Sequence, residues 1–473
     1  MKKVLFVASE ALPFVSSGGL ADVIGSLPKE LVKNGCDTRV VLPLYSSIKD
    51  EYRSRMTYLG NINVPLSWRN QYCGIFTLVH DGVTFYFIDN EYYFKRQMLY
   101  GNFDDGERYA FFCKAVLEIM PIINFFPDIL HAHDWQSALS VIYLKLHYSG
   151  DPRYNFIKAM FTIHNIEYQG IYGVGIMGDV FELSPWERKI VDWNGDINLM
   201  KGAIECCDIL STVSPRYAEE IRRPEFAHSL DPIIRDKAYK TRGVLNGIDT
   251  EYYNPSKDTS IYKTYSYKSL AGKAQDKATL QKSLALPEKP DTPIIAMITR
   301  LTAHKGLDLV VRVIDEILGD DVQFILLGTG DRDYEDFFRS LEYRHHDKVR
   351  SIIKYDKDLS KQIYAGADLF LMPSKSEPCG LAQMIASVYG TVPIVREVGG
   401  LYDSIKSYNE FTGEGNGFSF SSFNAHDMMY TVRRAVGFYR DREFWNGFVK
   451  KIMQIDFSWK VSSLEYIKIY EQL

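Results

Sequence analysis

Arg300 is followed five residues later by Lys305-Gly306, and further on the run Ser374-Lys375-Ser376-Glu377-Pro378-Cys379-Gly380-Leu381 sets a carboxylate three residues before a glycine. These are the parts a sugar-nucleotide site needs. A guanidinium and an ammonium can hold a diphosphate leaving group, and exposed amides around Gly380, opening a helix, can take a phosphate oxygen. Glu377 is then left to face the sugar. The plainer reading of Arg300 and Lys305 is a solvated basic turn, and it is the glutamate run beyond them that argues for chemistry.

Such residues have to be carried by strand ends. Short apolar runs at residues 4–8, 39–42, 84–88, 129–131, 159–163 and 209–213 alternate with amphipathic stretches. Runs of that length, rich in β-branched residues and separated by helical patterns, predict repeated βαβ units and a parallel sheet. The pattern restarts at 293–298, 322–327, 350–353, 369–372 and 392–395. The expected fold class is therefore α/β, with two doubly wound domains in tandem whose ligands sit at the carboxyl ends of the strands. The boundary is expected within 243–249, at an Asn246-Gly247 turn, giving a first domain of 1–245 and a second of 246–457. A polar, tyrosine-bearing stretch at 254–268 reads as a crossing or a lid. In the last segment, 458–473, Ser458 precedes Trp459, Leu464, Ile467 and Tyr470, the pattern of a serine-capped amphipathic helix that must dock.

Composition narrows the partners. The chain has 473 residues, 46% hydrophobic and 24% charged, enough for two good-sized cores. A formal net charge of −5 argues against nucleic acid or an anionic membrane held through bulk charge. No apolar stretch is long enough to cross a bilayer. The opening apolar run is cut by Glu10, so it reads as a buried first strand and not as a secretory leader. Six cysteines without paired metal-ligand spacing or scaffold density suggest a reducing cytoplasm and no structural zinc. The 32 tyrosines are compatible with carbohydrate-binding surfaces.

Further motifs cluster at predicted strand ends. Ser16-Ser17-Gly18-Gly19-Leu20-Ala21-Asp22-Val23 opens a helix, where paired glycines let a ligand approach the backbone; a tight turn with Asp22 as a first-turn charge is the alternative. His131-Ala132-His133-Asp134-Trp135 ends another strand. Asp134 there suits a helix N-cap, and the two histidines with the aspartate are expected to scatter over both faces, which disfavours a metal. Thr162-Ile163-His164-Asn165 is a polar pair placed to read a sugar hydroxyl. Gly173, Gly175 and Gly178 have dinucleotide-fingerprint spacing but do not join a strand to a helix, so they read as a mobile loop. Asp331 and Asp333 read as turn and helix-start residues.

Taken in order, the 18–23 run, His133-Asp134-Trp135, His164-Asn165, Arg300 with Lys305, Glu377 to Leu381, Gly399-Gly400-Leu401 with Asp403, and Asp456-Phe457-Ser458-Trp459 resemble bacterial glycogen synthases and plant starch synthases. The resemblance runs almost end to end. It implies two facing Rossmann-like domains, the GT-B fold, with an interdomain active-site cleft and a C-terminal helix crossing back to the first domain. It also implies a cytoplasmic, metal-independent, retaining glucosyltransferase without a cofactor, which passes glucose from ADP-glucose or a related nucleotide sugar to an α-1,4-glucan.

By the same resemblance Arg300 and Lys305 grip the donor diphosphate, Glu377 lies against the glucosyl ring, His164 contacts the sugar and Asp134 sits by the reacting centre. Gly18, Gly19 and Asp22 line the donor site, and Asn246 marks the cleft. The amides of Cys379, Gly380 and Leu381 and of Gly399, Gly400 and Leu401 are implied to hold phosphates or glucose hydroxyls, and Tyr355 to stack on the base. One position departs: where the family usually has a lysine two residues before the paired glycines, this chain has Ser16.

Overall fold

Val4 to Val7 are wholly excluded from solvent, so the run after the first residues becomes a strand covered on both faces. The computed structural model describes all 473 residues. In chain order the strands are β1 (Lys3–Val7), β2 (Asp37–Pro43), β3 (Thr57–Leu66), β4 (Arg69–His80), β5 (Val83–Asp89), β6 (Ile129–His133), β7 (Lys158–Ile163), β8 (Ile171–Tyr172), β9 (Asp192–Trp193), β10 (Asp196–Asn198), β11 (Ile209–Thr212) and β12 (Thr241–Gly243). The remainder are β13 (Ile294–Ile298), β14 (Gln323–Leu327), β15 (Val349–Ile352), β16 (Leu369–Met372), β17 (Val392–Arg396) and β18 (Phe418–Phe420). They fall into two units, one of Met1–Gly247 with Trp459–Leu473, the other of Ile248–Ser458.

The first unit is built on a nine-stranded sheet in the order β12-β11-β7-β6-β1-β2-β5-β4-β3, with a small sheet β8-β10-β9 beside it. The doubly wound part is parallel, as its run spacing predicts. Residues 57–80 differ from the expectation: β3 and β4 form an antiparallel extension onto β5. The alternating exposure of β3 explains why no apolar run announced it, since only one face is covered. The helix Gly19–Lys33 lays Leu20, Val23, Ile24, Leu27 and Leu31 on the sheet at helical spacing. Each such side chain contributes about 1.5 to 3 kcal/mol when fully buried.

The terminal helix Trp459–Glu471 packs within this unit by a face different from the one its pattern suggests. Trp459, Ser462, Ser463, Tyr466, Ile469 and Tyr470 are buried, whereas Leu464 is exposed. Polar side chains can lie inward because they are matched: Ser462 Oγ donates to the Leu245 carbonyl at 2.6 Å, and Tyr470 Oη lies 2.8 Å from His131 Nδ1.

In the second unit a six-stranded parallel sheet runs β15-β14-β13-β16-β17-β18. The helix Leu307–Leu318 buries Leu307, Val310, Val313, Ile314 and Ile317 against it. These join Ile295, Met297, Phe324, Leu326, Leu369 and Phe448 in one core. Within the parallel part of each large sheet the strand order reverses, between β1 and β6 in the first and between β13 and β16 in the second. At such a reversal the connections leave for opposite faces of the sheet, which places a ligand crevice outside the carboxyl ends.

Candidate active site

The reversal in the second unit carries the cations and the glutamate. Arg300 follows β13 and is exposed, and Lys305 closes a short 3₁₀ turn, Ala303–Lys305. Gly306 adopts φ +72°, and a Cβ there would lie 2.0 Å from the Pro373 carbonyl oxygen. Only glycine permits both the left-handed backbone and this approach. The loops after β13 and β16 are thereby pressed together, and Lys375 N donates to the His304 carbonyl at 2.8 Å to hold them. Lys305 Nζ consequently reaches Glu377 Oε2 at 2.7 Å, and Ser374 Oγ donates to the same oxygen at 3.0 Å.

A second close approach fixes the far side of Glu377. Gly399 has φ +42°, with the Glu377 carbonyl oxygen 2.0 Å from where its Cβ would stand, and Gly400 is equally tight against the Cys379 carbonyl. The Gly400 amide donates to the carbonyls of Glu377 and Pro378, and the Leu401 amide to that of Val398. This corrects the expectation for Gly400 and Leu401: their amides are engaged by the protein, and the glycines serve the packing of the two loops. Leu401 is buried with Val395, Val398 and Ile405. Gly380, at φ +68°, and Leu381 lead into the helix Ala382–Val388 with Cys379 buried beside them. Gln383 Nε2 steadies this turn by donating to the carbonyls of Cys379 and Gly380. Tyr355, in the loop after β15, is 80% exposed.

The first unit gathers its polar groups at its own reversal. Asp134 follows β6 with φ +57°, and its side chain does not cap the helix Trp135–Leu146. The N-cap expectation is thus corrected: Asp134 Oδ1 accepts the His164 amide at 2.7 Å. Burial pushes the Asp134 carboxyl up to about 7, opposed by the amides of His164 and Asn165, with Glu10 adding a like charge. His131 and His133 do not scatter. Strand alternation places residues two apart on one face, and their rings stand 4.1 Å apart between centroids.

His164 is half-buried, with its Nε2 3.0 Å from His133 Nδ1. Desolvation lowers it to about 3, so the imidazole is neutral. The loop after β1 brings Glu10, a buried carboxylate that accepts the amide and, at 3.1 Å, the hydroxyl of Ser17. Burial raises Glu10 while Ser17, Tyr100 and the Gly18 amide work against it. Ser16, Gly18 and Gly19 are exposed, and a Cβ on either glycine would meet no atom within 4 Å. Packing inside the protein requires neither glycine; the Gly18 amide is turned to Glu10, and Gly19 opens the helix Gly19–Lys33. Asp22 lies in the first turn of the same helix.

Sequence reasoning missed Glu10 and Tyr100 as members of this cluster, and it named His133 within the His133-Asp134-Trp135 run without a role of its own. Glu10 carried one signal, a carboxylate close behind a wholly apolar strand. Asn246 is buried just beyond β12, with Oδ1 unpartnered. Gly173, Gly175 and Gly178 stand apart, the first two around a 3₁₀ turn at Val174–Ile176, and Asp331 precedes the helix Arg332–Arg344 as a start residue.

Residues 3–236 match the family model of the starch synthase catalytic domain, and residues 277–438 that of glycosyl transferases group 1. A glycogen synthase of Bacillus cereus (strain Q1) is 51% identical over 472 residues, covering 99% of each chain. One from Desulforamulus reducens is 50% identical over 473 residues, 100% of this chain and 98% of its own. The catalytic domain of starch synthase IV from Arabidopsis thaliana, solved with ADP and acarbose, matches with a TM-score of 0.91 at 34% identity, covering 100% of this chain and 99% of that one.

Proposed function

Because this chain belongs to the starch and glycogen synthase family of glycosyltransferases and has its GT-B fold, we propose that it moves glucose from ADP-glucose to the non-reducing end of an α-1,4-glucan, with retention and without a metal. The observation that carries this reading is the Lys305–Glu377 pair formed by the loops after β13 and β16, where strand order reverses, with Arg300 just past the end of β13. ADP as the nucleotide is supported by the ADP held in the plant relative.

As the bond from the anomeric carbon to the diphosphate breaks, negative charge grows on the leaving group and positive charge on the sugar. Arg300 and Lys305 are cations set in advance where that negative charge develops, the service a metal gives elsewhere. Groups of this kind are worth roughly 3 to 4 kcal/mol each to the transition state. The Glu377 carboxylate, tied to Lys305 and Ser374, faces the glucosyl ring. In the first unit His164 reads a sugar hydroxyl and Asp134 stands by the reacting centre, its Oδ1 fixed by the His164 amide. Retention follows from same-face attack, the acceptor hydroxyl giving its proton to the departing phosphate oxygen. Six free cysteines fit a reducing cytoplasm as the place of work.

The test incubates the protein with glycogen and labelled ADP-glucose or UDP-glucose, with and without EDTA. The expected result is α-linked label in polymer, faster from ADP-glucose and unaffected by EDTA. No incorporation from either donor, or strict metal dependence, overturns the reading.

A further inference from the structure

His164 is clamped at two points. Its amide donates to Asp134 Oδ1 at 2.7 Å, and its ring Nε2 meets His133 Nδ1 at 3.0 Å. Its remaining ring nitrogen, Nδ1, has no hydrogen-bond partner in the protein and belongs to a half-buried residue on the loop past β7. His133 is wholly buried on β6, stacked 5.1 Å from the Phe6 ring, and its own Nε2 is buried without a partner.

These contacts decide where the protons sit. Both imidazoles are held below their ordinary value by desolvation, so the two rings share two protons among four nitrogens. One proton must lie in the His133–His164 contact. If His164 supplied it, His133 would carry its proton on Nε2, and a buried N–H would have no acceptor. If His133 supplies it, the unpartnered Nε2 is a bare lone pair. Buried N–H groups without acceptors are rarer than under-used acceptors, because the donor loses a stronger bond to water. The second arrangement therefore prevails.

We propose that His133 is a positioning residue that donates from Nδ1 to His164 Nε2 and so fixes His164 as the Nδ1–H tautomer, a neutral donor to an oxygen of the bound sugar. Since His164 offers a proton and accepts none, its partner on the substrate is an oxygen with a free lone pair, and an analogue with fluorine at that carbon is bound more weakly. The role of His164 toward a sugar rests on the function proposed above, whereas its tautomer does not depend on any substrate.

The experiment has two arms. In the first, the full chain is labelled with ¹⁵N-histidine, and the long-range ¹H–¹⁵N pattern of His164, identified by its disappearance in His164→Gln, reports which nitrogen is protonated. The expected pattern is Nδ1–H, and an Nε2–H pattern overturns the proposal whether or not the protein is a transferase. The second arm compares His133→Asn, whose amide N–H falls near the place of the imidazole Nδ1–H, with His133→Leu, which has no donor. His133→Asn keeps the tautomer and kcat/KM within about threefold of the unaltered protein; His133→Leu loses the tautomer and about ten- to a hundredfold in kcat/KM. Equal loss in both variants, or none in His133→Leu, overturns it. Where His133→Leu does not fold, the first arm still decides.

Discussion

Lys305 Nζ and Glu377 Oε2 form a 2.7 Å ion pair whose side chains are 18% and 9% exposed, with Ser374 Oγ sharing the same carboxylate oxygen. Desolvating both charges is costly, and the pair holds because the hydroxyl adds a further hydrogen bond. Removing one partner leaves the other uncompensated, an effect of about 3 to 5 kcal/mol for a fully buried pair and less where the ammonium keeps some water.

Lys305→Ala therefore acts on stability and rate together. It is expected to lower kcat by roughly 10² to 10³-fold, the usual effect of losing one preorganised group at developing charge. It should also lower Tm, while Lys305→Ala with Glu377→Ala recovers part of the lost stability and none of the rate. Thermal unfolding and initial rates measure this, and additive Tm losses would show that the pair has no structural role.

Gly306 makes that pair possible, so its replacement should separate folding from chemistry only poorly. At φ +72°, with the Pro373 carbonyl 2.0 Å from a Cβ, Gly306→Ala meets backbone that cannot step aside like a flexible side chain. The expectation is a loss of more than about 2 kcal/mol in urea unfolding, from the left-handed conformation and the clash together. Activity should fall further than the folded fraction does, because Lys305 moves with the turn.

How far the sequence exposed this arrangement depends on what each feature needs. The parallel strands showed themselves as apolar runs because both faces are buried; His164 and Arg300 stood out just past the ends of such runs, and Lys305 and Glu377 by the residues around them in the loops that follow. β3 and β4 stayed hidden because one covered face leaves an alternating, half-polar pattern. Glu10 and Tyr100 join Asp134 only through loops whose course no local spacing encodes. Gly399 and Gly400 looked like ligand-binding glycines, yet what they approach is the Glu377–Cys379 backbone, a contact between segments some twenty residues apart. Asp134 before a helix had the usual signature of a cap, and the backbone at φ +57° turned its carboxylate to His164 instead.

Asp134 carries a stability cost that pH should reveal. Its carboxyl is raised from 3.8 to about 7 by burial, so the folded chain binds this proton more tightly than the unfolded one. Its contribution to stability is fully present below about 3.8 and is lost as pH rises through about 7. Asp134→Asn keeps an oxygen for the His164 amide and removes the charge. The variant should melt a few degrees higher than the unaltered protein at pH 8, with the gap closing towards pH 4, while its transferase activity is nearly abolished. A gap that stays constant over that range would mean that the carboxylate is comfortably solvated in the folded state.

Ser16 lies on an anchored stretch of backbone: the next residue, Ser17, donates its amide and its hydroxyl to the buried Glu10 carboxylate. Position 16 is itself exposed, and the open glycines Gly18 and Gly19 follow it. A lysine there would start from a fixed Cα, so little backbone order would have to be lost for its ammonium to meet an anionic donor. Ser16→Lys is expected to lower KM for ADP-glucose about tenfold, the equivalent of one charge-assisted hydrogen bond of about 1.4 kcal/mol. The gain should shrink as salt rises, because the added contact is exposed and screened. Steady-state kinetics at two ionic strengths check both points. An unchanged KM at low salt would mean that no anionic group of the bound donor comes within reach of position 16.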